Sequence, residues 1–245
     1  MFNLVIDIGN SNNKLAVFNN RELVHFEHSS ALDHLSLAVL IDKYQIQNAT
    51  VSSVNEDIIA LGDFLKQLVN YIPFTTEIRG DIKNHYQTLA TLGLDRWAKV
   101  IAAHRLYKGN NCLLIDAGTC ITYDVLTAKN EYFGGGISLG IKMRFKALNH
   151  YTERLPFVNF NNEEQNIPEG TDTINAIKNG VLQGFLQEVK GFITLESDRH
   201  NCLKVIITGG DADFLNKQLK NSIFASQIIH EPYLVLKGLN EVITL

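Results

Sequence analysis

Two stretches of this chain, LVIDIGNSNNKLAVF at 4–18 and NCLLIDAGTCITYDVL at 111–126, have the same shape. Each runs an apolar strand into D-x-G, then small polar residues, then a second apolar strand. Placing Asp7 on Asp116 also places Gly9 on Gly118 and Ser11 on Cys120, an offset of 109 residues (116 minus 7). One D-x-G after a strand is common. The same element at the start of each half predicts a duplicated α/β unit, with halves at 1–110 and 111–245.

The segments downstream of each stretch read as α/β. After the first come β-rich runs to His28, a helical pattern over 31–46, a strand at 49–54, and a second amphipathic helix over 56–71 with Asn55 as its N-cap. After the second come a strand around Glu131 to Phe133, the run GGG at 134–136, and a helical pattern near 138–154. A surface loop at 159–166 then leads to a helix from about Thr173 to Leu195, the strand KVIIT at 204–208, the turn GGDAD, and a helix beginning near Asp213.

Composition narrows the function classes. Hydrophobic residues at 45% and charged residues at 20% are the balance of a globular protein rather than a disordered one. A net charge of −4 with no Lys/Arg-rich block argues against nucleic acid as a partner. No apolar run reaches the roughly 18–20 residues of a membrane span, and the chain opens on a strand pattern rather than a leader, so no membrane association and a cytoplasmic location are expected. Cys112, Cys120 and Cys202 form no C-x-x-C pair and are expected as small buried apolar residues, and the eight histidines show no ligand spacing.

The chemistry sits in the loops. Neither G-x-x-x-x-G-K-[ST] nor a strand followed by G-x-G-x-x-G is present, so a phosphate cradle must take another form. In DIGNSNNK, Gly9 allows close backbone approach, Asn10, Ser11, Asn12 and Asn13 supply donors, and Lys14 supplies a cation. Asp7, at the strand's end, is a hard oxygen ligand suited to Mg²⁺ through water. Alone this reads more readily as a tight turn. A second acidic loop, Asp116 to Thr122, changes the balance, because two such loops can grip a metal and phosphates from both sides. In TGGDAD at 208–213, Gly209 and Gly210 let a flat base lie against backbone; the same residues also suit a plain strand-to-helix turn.

Taken in order, Asp7, Asp116 and Gly209-Gly210 resemble the two phosphate loops and the adenosine loop of the actin, sugar-kinase and Hsp70 ATPases. GLDR at 93–96, DAGT at 116–119, GGGISLG at 134–140, RLP at 154–156 and TINAIKNGVLQG at 173–184 sharpen this: over essentially its whole length the chain resembles the type III pantothenate kinases. The resemblance implies duplicated ribonuclease H-like (actin-like ATPase) domains, mixed β-sheets with flanking helices, and an active site in the cleft between the halves. It implies ATP-dependent phosphorylation of pantothenate on its primary hydroxyl, using Mg²⁺ and a monovalent cation (K⁺ or NH₄⁺), by a homodimer. By matching motifs, Asp95 is the general base. ATP falls to Asp7, Ile8, Gly9, Asn10, Ser11, Asn12, Asn13, Lys14 and Thr119, pantothenate to Tyr86, Gly93, Leu94, Asp95, Arg96 and Thr173, and the monovalent cation to Asp116.

Two rival functions fit the same fold: a non-catalytic transcription accessory factor, and a kinase acting on another small hydroxylated metabolite. Asp7, Asp95, Arg96 and Asp116 argue against the first, since a binding module has no need of a full phosphotransfer set.

Overall fold

The computed structural model describes residues 1–9, 13–29, 32–53, 58–161 and 166–245. In chain order its elements are β1 (Phe2–Ile8), β2 (Asn13–Asn19), β3 (Glu22–Ser29), α1 (His34–Tyr44), β4 (Asn48–Ser53), α2 (Ile58–Leu68), β5 (Asn70–Tyr71), β6 (Lys83–Asn84) and α3 (Leu94–Leu106). There follow β7 (Cys112–Ala117), β8 (Cys120–Leu126), β9 (Glu131–Leu139), α4 (Ile141–His150), α5 (Thr173–Arg199), β10 (Lys204–Thr208), α6 (Ala212–Leu219), β11 (Ile228–His230) and α7 (Leu234–Val242). These elements divide between two compact units. The first holds 1–108, 129–133 and 233–245, and the second holds 109–128 and 134–232.

The sheet of the first unit has the order β3-β2-β1-β4-β5. Its centre, β1, is apolar on both faces apart from its ends, as a strand sandwiched by helices must be. Leu4 and Ile6 pack with Leu37 and Ile41 of α1 and Leu61 and Leu65 of α2. Because side chains alternate along a strand, Asn3, Val5 and Asp7 turn to the opposite face, where α7 lies against β1 and β4 and also packs on α3. The pairing of β1 with β2 is antiparallel through a short hairpin, while β1 and β4 are parallel, which requires a crossover such as α1.

A row of amides runs through the polar end of this sheet. Asn70 donates to Asn48, Asn48 to Asn3, and Asn3 to Asn240 of α7, at 3.0, 3.0 and 2.9 Å. Asn240 in turn donates to the Asn20 carbonyl at 2.7 Å. Asn3, Asn48 and Asn70 are register partners on β1, β4 and β5, so one amide per strand passes its donor to the next. Since each buried group needs a partner, the row fixes strand register and the seat of α7 together.

In the second unit β7 repeats the role of β1. It is antiparallel to β8 and parallel to β10, and β10 is parallel to β11. The register Asp116↔Thr122 across the β7–β8 hairpin is the counterpart of Asp7↔Lys14 across β1–β2. The core here is built on α5, whose Ile177, Val181, Leu182, Phe185, Val189 and Ile193 form a buried stripe at helical spacing.

Several boundaries depart from the expected ones for visible reasons. The Asp33 carboxylate accepts from the Leu35 and Ser36 N–H groups and Gln45 takes a left-handed φ of 51°, so α1 is confined to 34–44 rather than 31–46. The expected cap Asn55 lies outside the described residues. The helix expected near 138 begins at Ile141, because the chain remains in β9 through Leu139. Of the cysteines only Cys112 is buried; Cys120 opens β8 beside a loop and Cys202 sits in a left-handed turn, both exposed. No helix among the described residues is long and apolar enough to cross a membrane.

Asn240→Ala removes one donor and one acceptor from the amide row and leaves buried groups unpaired; it should destabilise the protein by about 1–3 kcal/mol. Urea unfolding measures this, and an unchanged midpoint would show that the row contributes nothing. Burial pushes the Cys112 thiol up to about 12, so native protein labelled with a maleimide at pH 7.5 should take label at Cys120 and Cys202 and reach Cys112 only on unfolding.

Candidate active site

In the first unit the acid of the opening loop stands at the carboxyl end of β1. Asp7 is 7% exposed, with Lys14 of β2 as its register partner on one side and Ser52 of β4 on the other. Register partners share a face, so carboxylate, ammonium and hydroxyl form one row. The Ser52 Oγ is buried without a hydrogen-bond partner. Asn10, Ser11 and Asn12 lie outside the described residues; Ile8 ends β1, Gly9 follows it, and Asn13 opens β2.

The GLDR motif forms the start of α3, with Gly93 as the residue before the first turn and Asp95 inside it. Asp95 is 34% exposed at its side chain and its Oδ2 lies 3.9 Å from the Nζ of Lys99, one turn on and fully buried. The next residue, Arg96, is 4% exposed and places its guanidinium 5.5 Å from the centre of the Tyr86 ring. Tyr86 stacks on Tyr132, centroids 6.3 Å apart, and Tyr132 leans on Trp97 at 5.7 Å. Asp95, Arg96 and Tyr86 are therefore gathered at one place although nine residues separate Tyr86 from Asp95 in the chain (95 minus 86).

Gly93 is needed there. A Cβ at Gly93 would fall 2.6 Å from the Asp95 Oδ1. Gly93 and Leu94 also line a cavity of about 470 Å³, together with Phe74, Thr75, Thr76 and Thr91. Its walls combine hydroxyls with apolar carbons, and the free N–H groups at the start of α3 favour negative charge nearby. Asn84 supports Tyr86 by accepting its backbone N–H at 3.0 Å, while the Asn84 Nδ2 is buried with no partner.

In the second unit Asp116 is the penultimate residue of β7 and meets the glycine turn. A Cβ on Gly209, whose φ is +98°, would lie 2.4 Å from both the Asp116 Oδ1 and the Ala117 carbonyl oxygen. The Ala117 carbonyl accepts the Asp211 N–H at 2.8 Å, so the D-A-G-T and T-G-G-D turns are joined. Thr119 is exposed on the first of them. Thr173 opens α5 just after its cap, Asp172, whose carboxylate accepts the Asn175 N–H at 2.9 Å. That bond is the main reason the Asp172 carboxyl lies below the usual range. Thr173 also borders an apolar groove of about 830 Å³ between α4 and α5, with Arg144, Leu148, Tyr151, Ile177 and Val181.

The donor sets fit hard cations better than soft ones. Among the described residues no cluster of three or more His, Cys, Asp or Glu side chains could hold a metal ion. What is present is single carboxylates beside oxygen atoms: Asp7 next to the unpartnered Ser52 hydroxyl, and Asp116 next to the Ala117 carbonyl. That suits Mg²⁺, which keeps most of its waters and leans on substrate phosphates, and an oxygen-liganded monovalent ion. Ser52, Asn84 and Lys99 were not singled out in the sequence. Lys99 had a signal, its i,i+4 spacing from Asp95; the other two show only as orphaned atoms once the chain is folded.

Solved structures of this architecture belong to the actin-like ATPases and sugar kinases. A protein assigned as a sugar kinase from Cytophaga hutchinsonii is similar with a TM-score of 0.53 at 11% identity, over 100% of both chains. The ethanolamine utilization protein EutJ from Carboxydothermus hydrogenoformans is similar with a TM-score of 0.53 at 14% identity, over 98% of this chain and 89% of that one. Such identities speak of the fold alone, and the fold is that of an actin-like ATPase. The sequence goes further. Residues 3–195 match the family model of type III pantothenate kinase, and the type III pantothenate kinase of Phocaeicola vulgatus is 40% identical over 99% of this chain and 98% of its own. The chain belongs to the type III pantothenate kinase family.

Gly93→Ala should leave the fold intact, because the obstructing atom is the end of a side chain, and push the Asp95 carboxylate aside. Displacing a reacting group by about 1 Å costs on the order of 100-fold. A kcat within error of wild type would show that the carboxylate position is immaterial.

Proposed function

We infer that the protein phosphorylates pantothenate at the expense of ATP, giving 4'-phosphopantothenate and ADP, the first step of coenzyme A biosynthesis. Family membership over nearly the whole chain supports the reaction. The observation that carries the choice of catalytic group is the meeting of Asp95, Arg96 and Tyr86 at the head of α3.

In this reading the primary hydroxyl oxygen of pantothenate attacks the γ-phosphorus, the bond to the bridging oxygen of ADP breaks, and the hydroxyl proton passes to the Asp95 carboxylate. Arg96 offers a planar fork to the pantothenate carboxylate, with the Tyr86 ring 5.5 Å from the guanidinium as a neighbouring face. Gly93, Leu94 and Thr173 complete the pantothenate site. Asp7, Lys14 and the residues between them take the ATP phosphates, with Thr119 contributing from the second loop. Asp7 would hold Mg²⁺ through water and Asp116 the K⁺ or NH₄⁺; these ions supply charge neutralisation on the phosphates. Asp7 is the more buried acid and shares its row with a lysine, which suits holding charge, whereas Asp95 keeps a third of its side chain open to an incoming hydroxyl. The enzyme works in this proposal as a cytoplasmic homodimer, built from halves at 1–110 and 111–245.

Asp95→Asn keeps the shape of the side chain and removes the proton acceptor. In a coupled assay with pantothenate, ATP, Mg²⁺ and K⁺ its kcat should fall about 10²–10⁴-fold with both KM values little changed. Undiminished turnover would remove Asp95 from the role of base, and loss confined to KM for pantothenate would make it a binding residue only.

A further inference from the structure

Glu188 lies on α5 fifteen positions after Thr173 (188 minus 173), and its carboxylate gathers donors from three other elements. Its Oε1 accepts from the Tyr123 hydroxyl of β8 at 2.9 Å. Its Oε2 accepts from Arg144 Nη2 of α4 at 2.5 Å and from Ser138 Oγ of β9 at 3.3 Å. Tyr123 is 1% exposed, and burial first, then Glu188 itself, pushes its pKa upward, so the phenol stays a donor. The apolar stripe of α5 packs in the core through other positions, Ile177, Val181, Leu182, Phe185, Val189 and Ile193.

From Glu188 the connection continues toward the second acidic loop. Arg144 spends its other edge on the main chain: Nε donates to the Leu139 carbonyl at 2.8 Å, and the guanidinium lies over the Phe185 ring at 5.3 Å. Leu139 is the last residue of β9. The next, Gly140, donates its N–H to the Thr119 carbonyl at 3.2 Å. The approach is so close that a Cβ on Gly140 would fall 2.1 Å from the Gly118 carbonyl oxygen and 2.4 Å from that of Thr119. The corner between β9 and α4 therefore abuts the D-A-G-T turn directly, and the same arginine that holds the corner is held by Glu188.

We propose that Glu188 is a positioning residue for phosphoryl transfer, which acts through Arg144 to fix the Leu139-Gly140 corner and with it the Gly118-Thr119 turn that receives the ATP phosphates. The proposal rests on the reading of Thr119 as an ATP contact. Arginine suits the task because its fork holds two acceptors at a set angle, here a carboxylate and a carbonyl. A lysine in its place keeps the charge opposite Glu188 but lacks the planar fork that holds the carboxylate and the carbonyl at a fixed angle and separation. For Glu188 the effect should fall on the nucleotide, since at 1.5 Å rise per residue Thr173 is about 22 Å along α5 from Glu188; Arg144, which shares a groove with Thr173, is judged on KM for ATP and on melting temperature.

The test is steady-state kinetics of the full-length enzyme with each substrate varied, on Glu188→Ala, Arg144→Lys and Thr119→Ala, alongside thermal melts. Expected are rises of about three- to tenfold in KM for ATP in all three, the worth of roughly one hydrogen bond, with KM for pantothenate within about twofold of wild type in Glu188→Ala and Thr119→Ala. Arg144→Lys should show its rise with a melting temperature near that of wild type, which a merely structural role would not give. Unchanged KM for ATP in Arg144→Lys, or equal rises for both substrates in Glu188→Ala, overturns the proposal. Should Glu188→Ala fail to fold, Arg144→Lys decides alone. If Thr119→Ala leaves KM for ATP unchanged, the underlying reading of Thr119 fails instead, and the two failures are told apart.

Discussion

The rest of the structure depends on the burial of β1 and β7 on both faces. A strand with helices over each side has no place for polar side chains along its length, so polarity is driven to its ends. At the carboxyl ends stand Asp7 and Asp116, each followed by a glycine two positions on. In the first unit the amino end also carries polarity, where Asn3 joins the amide row. The hairpin and the parallel neighbour that flank each strand then bring further loops to the acid: Lys14 and Ser52 beside Asp7, Thr122 and Thr208 beside Asp116. An open α/β sheet gathers ligands at the carboxyl ends of its strands for this reason, and such an end, with its acid and glycine, is formed once in each unit.

Burial of charge obeys a different rule in the first unit. Arg96 and Lys99 lie on consecutive turns of α3 and are nearly or fully enclosed. Neither belongs in an apolar core, and enclosing them costs several kcal/mol per ion unless partners are supplied. Asp95 is one such partner for Lys99, and the aromatic group Tyr86, Tyr132 and Trp97 gives Arg96 a flat surface to lie on. A helix start that encloses two cations, one against a carboxylate a third exposed and one against an aromatic ring, is an expensive piece of folding. It makes sense where an anionic substrate must be met by fixed charges rather than by water.

Much of this was legible before any coordinates. The doubled D-x-G strand pointed to the α/β repeat, and periodicity found the larger helices, because both depend on local patterns that the chain writes out plainly. What escaped was set by contacts distant in sequence. The helix α7 has an apolar pattern of its own, yet its place was invisible because it is decided by Asn240 meeting Asn3 and by packing on α3. Cys120 looked like a small core residue until the hairpin turned it outward at the first position of β8. Helix ends moved by a few residues where a cap such as Asp33 or a left-handed residue such as Gln45 overrode hydrophobic spacing. Among the site residues, motif matches named Asp95, Arg96 and Tyr86, and folding brought these three together; Ser52 and Asn84 became visible only as polar atoms left without partners.

The amide row has a consequence for how the protein comes into being. Asn240 seals the sheet to which Asn3 belongs, and 237 positions separate the two. During synthesis the strands of the first unit emerge early, but their polar end stays open and water-exposed until residues 233–245 have left the ribosome. The second unit, whose segments all precede residue 233, has its whole set of elements before then. The unit that begins before the other is therefore completed after it, and the nascent chain carries the polar ends of β1, β4 and β5 uncovered until residues 233–245 are made.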